Sequence, residues 1–417
     1  MKCPRCGHDN PEVAQFCGGC GTSLSGHTGI GVEAVQDNSI RYHGLDALRG
    51  MAMLLGIVLH AALPYIPNVE AFWPADGSSS HVINTIFQFI HIWRMPLFFI
   101  LAGFFANLII SKQSWRSWWG NRFLRIGLPI IVFSPLMSLT LPWIFKYGGT
   151  GELVFFYSDE GQPFHLWFLW QLMIFVIFTA IFRLPYLLGV GVLNSLNRIG
   201  LGFIGSVCRN SKSVLSGILF RSRFPIVFII LCSVINLPTQ GNLIVNPVAT
   251  GLYFAIGYSL YGNTSLFTFL KAHWRYYFLA GLVAFTLYVI LEYMKSDEYL
   301  RAISEPVAAI TVSITIICGV LFSYAFIGLA EKGFGAYNPR LRFISDGAYW
   351  MYLIHLPIVT LITFFMFNLH IPIEIKFLIA IVMTSILCLG TYKYFVRSTP
   401  ICIFLNGRRY PFEMTGL

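Results

Sequence analysis

The sequence predicts an all-α polytopic membrane protein of about ten transmembrane helices, with a small zinc ribbon at its N-terminus. Three observations carry this prediction. The first is composition: of 417 residues, 56% are hydrophobic and 11% charged, where soluble proteins are about 25% charged. The second is a series of ten apolar runs, at about 45–66, 82–110, 124–145, 165–182, 224–237, 247–262, 274–293, 306–330, 343–368 and 374–396. A bilayer core takes about 20 apolar helical residues to cross, so the short fifth and sixth runs are the weakest of the set. The third is a pair of Cys-x-x-Cys motifs in the first twenty residues.

Charge orients these runs. The net charge of +10 would point to nucleic acid in a soluble protein; here the positive-inside rule accounts for it, and no nucleic-acid partner is expected. With the N-terminus inside, all but five of the 28 Lys and Arg fall on the inner side or at inner helix ends, the exceptions being Lys146, Lys295, Arg301, Lys376 and Arg94. The inner loop 183–223 alone carries Arg183, Arg198, Arg209, Lys212, Arg221 and Arg223 with no acid. Both termini are therefore expected in the cytoplasm of a bacterial cell, with the chain in its inner membrane. No cleavable signal peptide is expected, because the N-terminus is polar and the first apolar run begins near residue 45.

The predicted domain order follows. Residues 1–24 form a ribbon, 25–42 a linker, 43–397 a ten-helix membrane domain and 398–417 a cytoplasmic tail. In the ribbon, Cys3, Cys6, Cys17 and Cys20 form two thiolate pairs, each followed by a glycine (Gly7, Gly21) that permits a tight knuckle turn. Four thiolates make a closed structural Zn2+ site with no position left for catalysis. So short a segment has no core, and the metal supplies its folding energy. Cytoplasmic redox conditions disfavour two disulfides instead. Such a ribbon is also a candidate surface for a protein partner. Cys208, Cys232, Cys318, Cys388 and Cys402 show no pairing pattern and read as buried structural thiols.

Polar residues inside the apolar runs are the candidate site. Asp46, Arg49, Gly56 and His60 make a stripe on the first span. Arg49 and His60 are eleven residues apart, three helical turns plus about 20°, so they share a face and lie about 16 Å apart along the axis. Ionisable groups at such depth are costly and mark function by default. Arg49 alone reads equally as an interfacial cation, and His60 alone as a helix–helix hydrogen-bonding group. On the second span Asn84, Gln88, His91 and Arg94 form a polar strip, with Arg94 near the middle where it needs a carboxylate, carbonyls, water or an anionic substrate. The segment 111–129, between spans two and three, holds Arg122 and Arg125 three residues apart, a spacing suited to phosphate or carboxylate. His165, Trp167 and Trp170 open the fourth span, as a plain aromatic belt or as stacking surfaces for a sugar. Tyr349, Tyr352 and His355 share a face of the ninth span, with His355 at a depth matching that of His60.

Taken together, Arg49 and His60, the run HIWRMPLFFILAGFF at 91–105, the Arg122/Arg125 pair, HLWFL and YWMYLIHLP resemble the integral-membrane acyltransferase-3 family over about 43–397. Within it they resemble the periplasmic-glucan succinyltransferase branch, the glucans biosynthesis protein C type; the zinc ribbon departs from that branch's usual form. The resemblance implies transfer of an acetyl or succinyl group from a cytoplasmic acyl-CoA to a hydroxyl of an extracytoplasmic glycan. It implies His60 as the catalytic histidine and Arg49 as its partner, Arg122 and Arg125 at the donor side, and His91 and Arg94 as the His and Arg of the second span. His355, His165 and Trp167 are expected at the acceptor. An acceptor hydroxyl needs a base within hydrogen-bond reach, and His60 would deprotonate it or carry the acyl group as a transient acyl-imidazole. The alternative is a transporter or flippase for a glycan or lipid intermediate, using the same buried charges as a pathway, although no internal repeat of the kind many transporters show is evident. A third reading, a ribbon sensor on a membrane anchor, needs fewer spans than are present.

Overall fold

The computed structural model describes residues 42–111, 114–198, 202–296, 304–406 and 410, so the predicted ribbon and linker lie outside the described residues. Every regular element among the described residues is helical. In chain order the helices are α1 (His43–Ala62), α2 (His81–Ile110), α3 (Trp115–Arg122), α4 (Leu128–Thr150), α5 (Trp167–Arg198), α6 (Gly202–Phe220), α7 (Ile226–Asn236), α8 (Pro247–Leu260), α9 (Thr264–Ser296), α10 (Ser304–Gly333), α11 (Pro339–Phe365), α12 (Ile373–Thr391) and α13 (Pro400–Asn406).

All ten apolar runs fold as helices, and among the described residues eight helical stretches are long and apolar enough to cross a membrane: α1, α2, α3 with α4, α5, α9, α10, α11 and α12. The fifth and sixth runs become α7 and α8, of 11 and 14 residues, short of a full crossing by themselves. The chain is a multi-pass membrane protein. Its outward faces stay apolar, as at Leu279, Val283, Val382 and Ile386, which are exposed from the protein and suit lipid contact.

Two stretches expected as connections are helical. The basic segment 183–223 is taken up by the extension of α5 to Arg198 and by α6. The segment 111–129 holds α3, which enters α4 through a π-helical turn at Phe123–Gly127. Pro129 explains that turn. It has no N–H to give the Arg125 carbonyl four residues back, and its ring would crowd that carbonyl in a regular α-helix. The freed Arg125 carbonyl instead accepts a hydrogen bond of 2.5 Å from the Tyr349 hydroxyl of α11.

The core is organised around α1, which packs among α2, α10, α11 and α12. Without a hydrophobic drive between helices in lipid, close approach depends on small residues. Gly44 lies against the Ala330 carbonyl of α10, and Gly50 against the backbone of Ser345 in α11. Gly103 of α2 and Gly257 of α8 face each other's backbone carbonyls at Phe254 and Ile100 in the same way. At the start of α1 the Leu45 N–H, which has no intrahelical acceptor, donates 2.8 Å to the Glu331 carboxylate.

Helices α1 and α11 run parallel with one register along their whole contact. Arg342 reaches Asp46 at 3.0 Å, Ser345 Oγ donates to the Asp46 carbonyl at 2.6 Å, and His355 stands beside His60. The segment between α1 and α2 folds back over the His60 end. Its Asp76 N–H donates to the Pro64 carbonyl, and the Asp76 carboxylate accepts from Lys376 of α12 at 2.7 Å. Both side chains of this ion pair are buried, at 7% and 3% exposure, and Lys376 also donates to the Phe367 carbonyl at 3.1 Å.

Candidate functional site

At one end of α1, three imidazoles and a guanidinium converge from four helical elements. The His60 and His355 rings are 5.2 Å apart, and His355 and His165 are also 5.2 Å apart. His165 arrives on the short 3-10 turn Phe164–Leu166 that leads into α5. Arg94 of α2 packs directly on Gly56, where a Cβ would collide with the guanidinium and lie 3.9 Å from His355 Nε2. His91 lies one turn from Arg94, stacked on Phe87 at 5.3 Å, within electrostatic reach of His60. Trp73, from the segment pinned by Asp76, stacks on His60 at 6.1 Å and 21° and is backed by Phe145 and Phe364.

The hydrogen bonds assign two of these rings. His355 Nδ1 lies 3.0 Å from the Met351 carbonyl and 2.9 Å from that of Tyr352. Carbonyls only accept, so Nδ1 carries the proton and Nε2 the lone pair. His165 Nε2 lies 3.0 Å from the Tyr352 carbonyl and is the protonated nitrogen by the same argument, with the Tyr352 hydroxyl donating back to the His165 carbonyl at 2.7 Å. Pro357 leaves the Leu353 carbonyl, next to that of Tyr352, without its helical donor. His355 Nε2, His165 Nδ1, His60 Nδ1 and Arg94 Nε are all buried without a protein partner. Buried polar atoms are nearly always satisfied, so four in one chamber mark a place for a polar molecule. Among the described residues no carboxylate pairs with Arg94, and no group of His, Cys, Asp and Glu is placed to hold a metal ion.

Toward the other end of α1 lies a cavity of about 460 Å³. Arg49, Arg122, Arg125 and Arg342 line its charged side; Phe98, Phe105, Phe168, Phe175 and Phe254 line its apolar side. Nε and Nη2 of Arg122 are buried without a partner. Arg342 is tied down by Asp346 at 2.7 Å and Asp46 at 3.0 Å. Arg49 makes only a 3.4 Å pair with Asp46, a side-chain exposure of 37% and a contact with the Phe105 face at 5.3 Å, so it is the more loosely held cation. Leu405 and Asn406 of α13 close this side, with Asn406 donating to the Asp346 carbonyl at 2.8 Å and the Tyr410 hydroxyl to the Asp346 carboxylate.

The residues singled out in the sequence thus fall into two groups joined by α1, which carries Arg49 and His60. His60, His91, Arg94, His165 and His355 gather at one pole, and Arg49, Arg122 and Arg125 at the other. Arg49 does not touch His60. Trp167 stands apart, packed at 6.3 Å against Phe99 in the aromatic core. Cys3, Cys6, Cys17 and Cys20 lie outside the described residues. Trp73, Arg342 and Asp346 were not singled out by the sequence reading. Trp73 sits in a connection with no periodicity, Arg342 reads as an ordinary positive-inside cation, and Asp346 lies four residues beyond it as an ordinary helix partner.

A polytopic helical membrane protein with a His–Arg chamber on one side and an arginine-lined cavity on the other is the class that fold and site define. The chain belongs to the acyltransferase domain family, whose model matches residues 42–393. A zinc-ribbon domain model matches residues 2–24. Over 100 residues the chain is 34% identical to "Glucans biosynthesis protein C" of Escherichia coli (strain K12), covering 24% of this chain and 25% of that protein. It is 22% identical over 341 residues to the protein of the same name from Salmonella schwarzengrund (strain CVM19633), covering 76% and 82%. The match therefore spans a quarter of the Escherichia coli relative and most of the Salmonella one. No solved structure matches the chain.

Proposed function

We propose that this protein is a membrane O-acyltransferase that moves an acetyl or succinyl group from a cytoplasmic acyl-CoA to a hydroxyl of an extracytoplasmic glycan. Family membership supports the reaction class, and the name of the relatives supports a glucan-like acceptor. The observation that carries the reading is the pairing of two unlike poles on the same rods. Arg49 and His60 are eleven residues apart on α1, about 16 Å. One pole offers a polyanionic carrier the Arg122 guanidinium, two of whose nitrogens have no partner, with Arg49 and Arg125 beside it. The other offers imidazoles and one buried guanidinium.

In this reading Arg122, Arg125 and Arg49 hold the phosphates of the donor, and the apolar wall from Phe105 to Phe168 houses its arm. His60 acts on the reacting groups, as base or as acyl carrier. Arg94 stabilises the developing oxyanion, as a fixed charge does in a water-poor site. His91, His165 and His355 border the acceptor, and Trp167 supports the aromatic wall behind it. In the same reading the arginine pole faces the cytoplasm, both termini lie inside and the membrane is the bacterial inner membrane, and the positive-inside distribution supports this orientation. Cys3, Cys6, Cys17 and Cys20 hold a structural Zn2+ in the ribbon, whose role is to engage a protein partner. The test is acyl-glycan output, by mass spectrometry, in cells carrying His60→Ala at normal membrane levels. Loss of acylation is expected, and undiminished acylation would refute the proposal.

A further inference from the structure

His355 has a feature that acceptor binding alone does not require. Its tautomer is fixed: two backbone carbonyls at 2.9 and 3.0 Å hold the proton on Nδ1, which leaves Nε2 as a lone pair that is buried and unpartnered. That nitrogen points toward Gly56 and the Arg94 guanidinium, beside a His60 ring whose own Nδ1 is unpartnered. Among the described residues no carboxylate approaches either ring. A catalytic imidazole that acts as sole base usually has a third group behind it to orient it. His60 has none, whereas His355 is oriented by the backbone.

We infer that the two histidines divide the reaction, with His60 carrying the acyl group and His355 serving as the base for the acceptor hydroxyl. The inference rests on the acyltransferase reading above. In the first half-reaction a ring nitrogen of His60 attacks the thioester carbonyl. The C–S bond breaks, the electron pair leaves on sulfur, and the thiolate takes up the proton that the acyl-imidazolium loses. In the second, the acceptor hydroxyl gives its proton to His355 Nε2 while its oxygen attacks the acyl carbon. The C–N bond breaks, its electron pair returns to His60, and His355 passes the proton back, restoring two neutral rings. The sum is thioester plus alcohol giving thiol plus ester. The adjacency suits this geometry: with ring centroids 5.2 Å apart, one oxygen beside the two rings can lie roughly 3 Å from an acyl carbon on His60 and about 2.8 Å from His355 Nε2. His165 Nδ1, a second buried lone pair on the far side of His355, is placed to accept from a neighbouring hydroxyl, so the acceptor class is a polyol rather than a simple alcohol.

The test uses full-length protein in detergent, radiolabelled acetyl-CoA and succinyl-CoA as donors, and glucan oligosaccharides as acceptor. His355→Asn keeps a side-chain N–H where Nδ1 stands and deletes Nε2; His355→Gln places a polar but non-basic atom near Nε2. For both, CoA release is expected as a single burst stoichiometric with enzyme. The label should remain on the protein in a form that hydroxylamine captures, and transfer to glucan should fall on the order of 100-fold or more, the scale of a lost general base. His60→Ala should abolish the burst itself. Transfer at the wild-type rate in the His355 variants, or loss of burst and transfer together in both, would overturn the division of roles alone. Absence of transfer by the wild-type protein from either thioester would overturn the parent reading with it.

Discussion

Gly56 shows how narrowly the chamber is built. It is the residue of α1 on which Arg94 rests, and a methyl group there would drive the guanidinium off its seat. Gly56→Ala is therefore expected to lower acyl transfer by about 10- to 100-fold, the scale of an ångström-level misplacement, while thermal unfolding of the purified protein changes little; a normal rate would show that Arg94 does not act from this position. Arg122 makes a second residue-scale case. With Nε and Nη2 unpaired, Arg122→Lys keeps the charge and removes the planar fork. The expected result is a KM for acyl-CoA raised on the order of tenfold with kcat largely kept, the pattern of lost uniform binding; an unchanged KM would remove Arg122 from the donor site. Sequence reading reached His60 and His355 because each is a polar group at a countable depth on an apolar helix. It did not reach Trp73, which reaches the chamber through a fold of connecting chain, nor the role of Arg342, whose partner Asp46 is 296 residues away.

The segment between α1 and α2 forms a small lid over the His60 end, pinned by the Asp76–Lys376 pair. Removing one partner of a buried ion pair leaves the other charge uncompensated, at about 3–5 kcal/mol. Lys376→Met should lower the unfolding temperature of the purified protein and release Trp73 from His60. Quenching of Trp fluorescence by a soluble quencher should rise in step, and unchanged quenching would mean that the lid is held by its aromatic contacts alone. Helix existence was legible at this scale, because runs of about 20 apolar residues have few alternatives in a bilayer. The continuation of α5 through the basic segment was not, because the positive-inside rule reports side, not backbone conformation. The π-helical turn before Pro129 was hidden for a different reason: its freed carbonyl is satisfied by Tyr349, on a helix 224 residues away.

For the whole molecule, the two poles are assembled, among the described residues, from side chains between Arg49 and Asn406. Replacing Cys3, Cys6, Cys17 and Cys20 by Ser, or treating with a strong chelator, should remove one equivalent of zinc per chain, read by atomic absorption, and leave in vitro acyl transfer intact. Loss of transfer on chelation would place the ribbon inside the catalytic cycle. Ten-run hydropathy gave the multi-pass architecture, yet which helices neighbour α1 depends on glycine contacts such as Gly44 with Ala330 and Gly50 with Ser345, whose partners lie far along the chain.

The common register of α1 and α11 has one more consequence. Because both helices rise together, at about 1.5 Å per residue, the interval from Arg49 to His60 is a fixed length that neither helix can alter alone. Under the proposed function, that interval would act as a ruler for the donor. An acyl phosphate, whose anionic group adjoins the carbonyl, would not reach both marks, whereas a thioester on a long arm would. Donor choice would then be set by reach, before any contact with the acyl group itself.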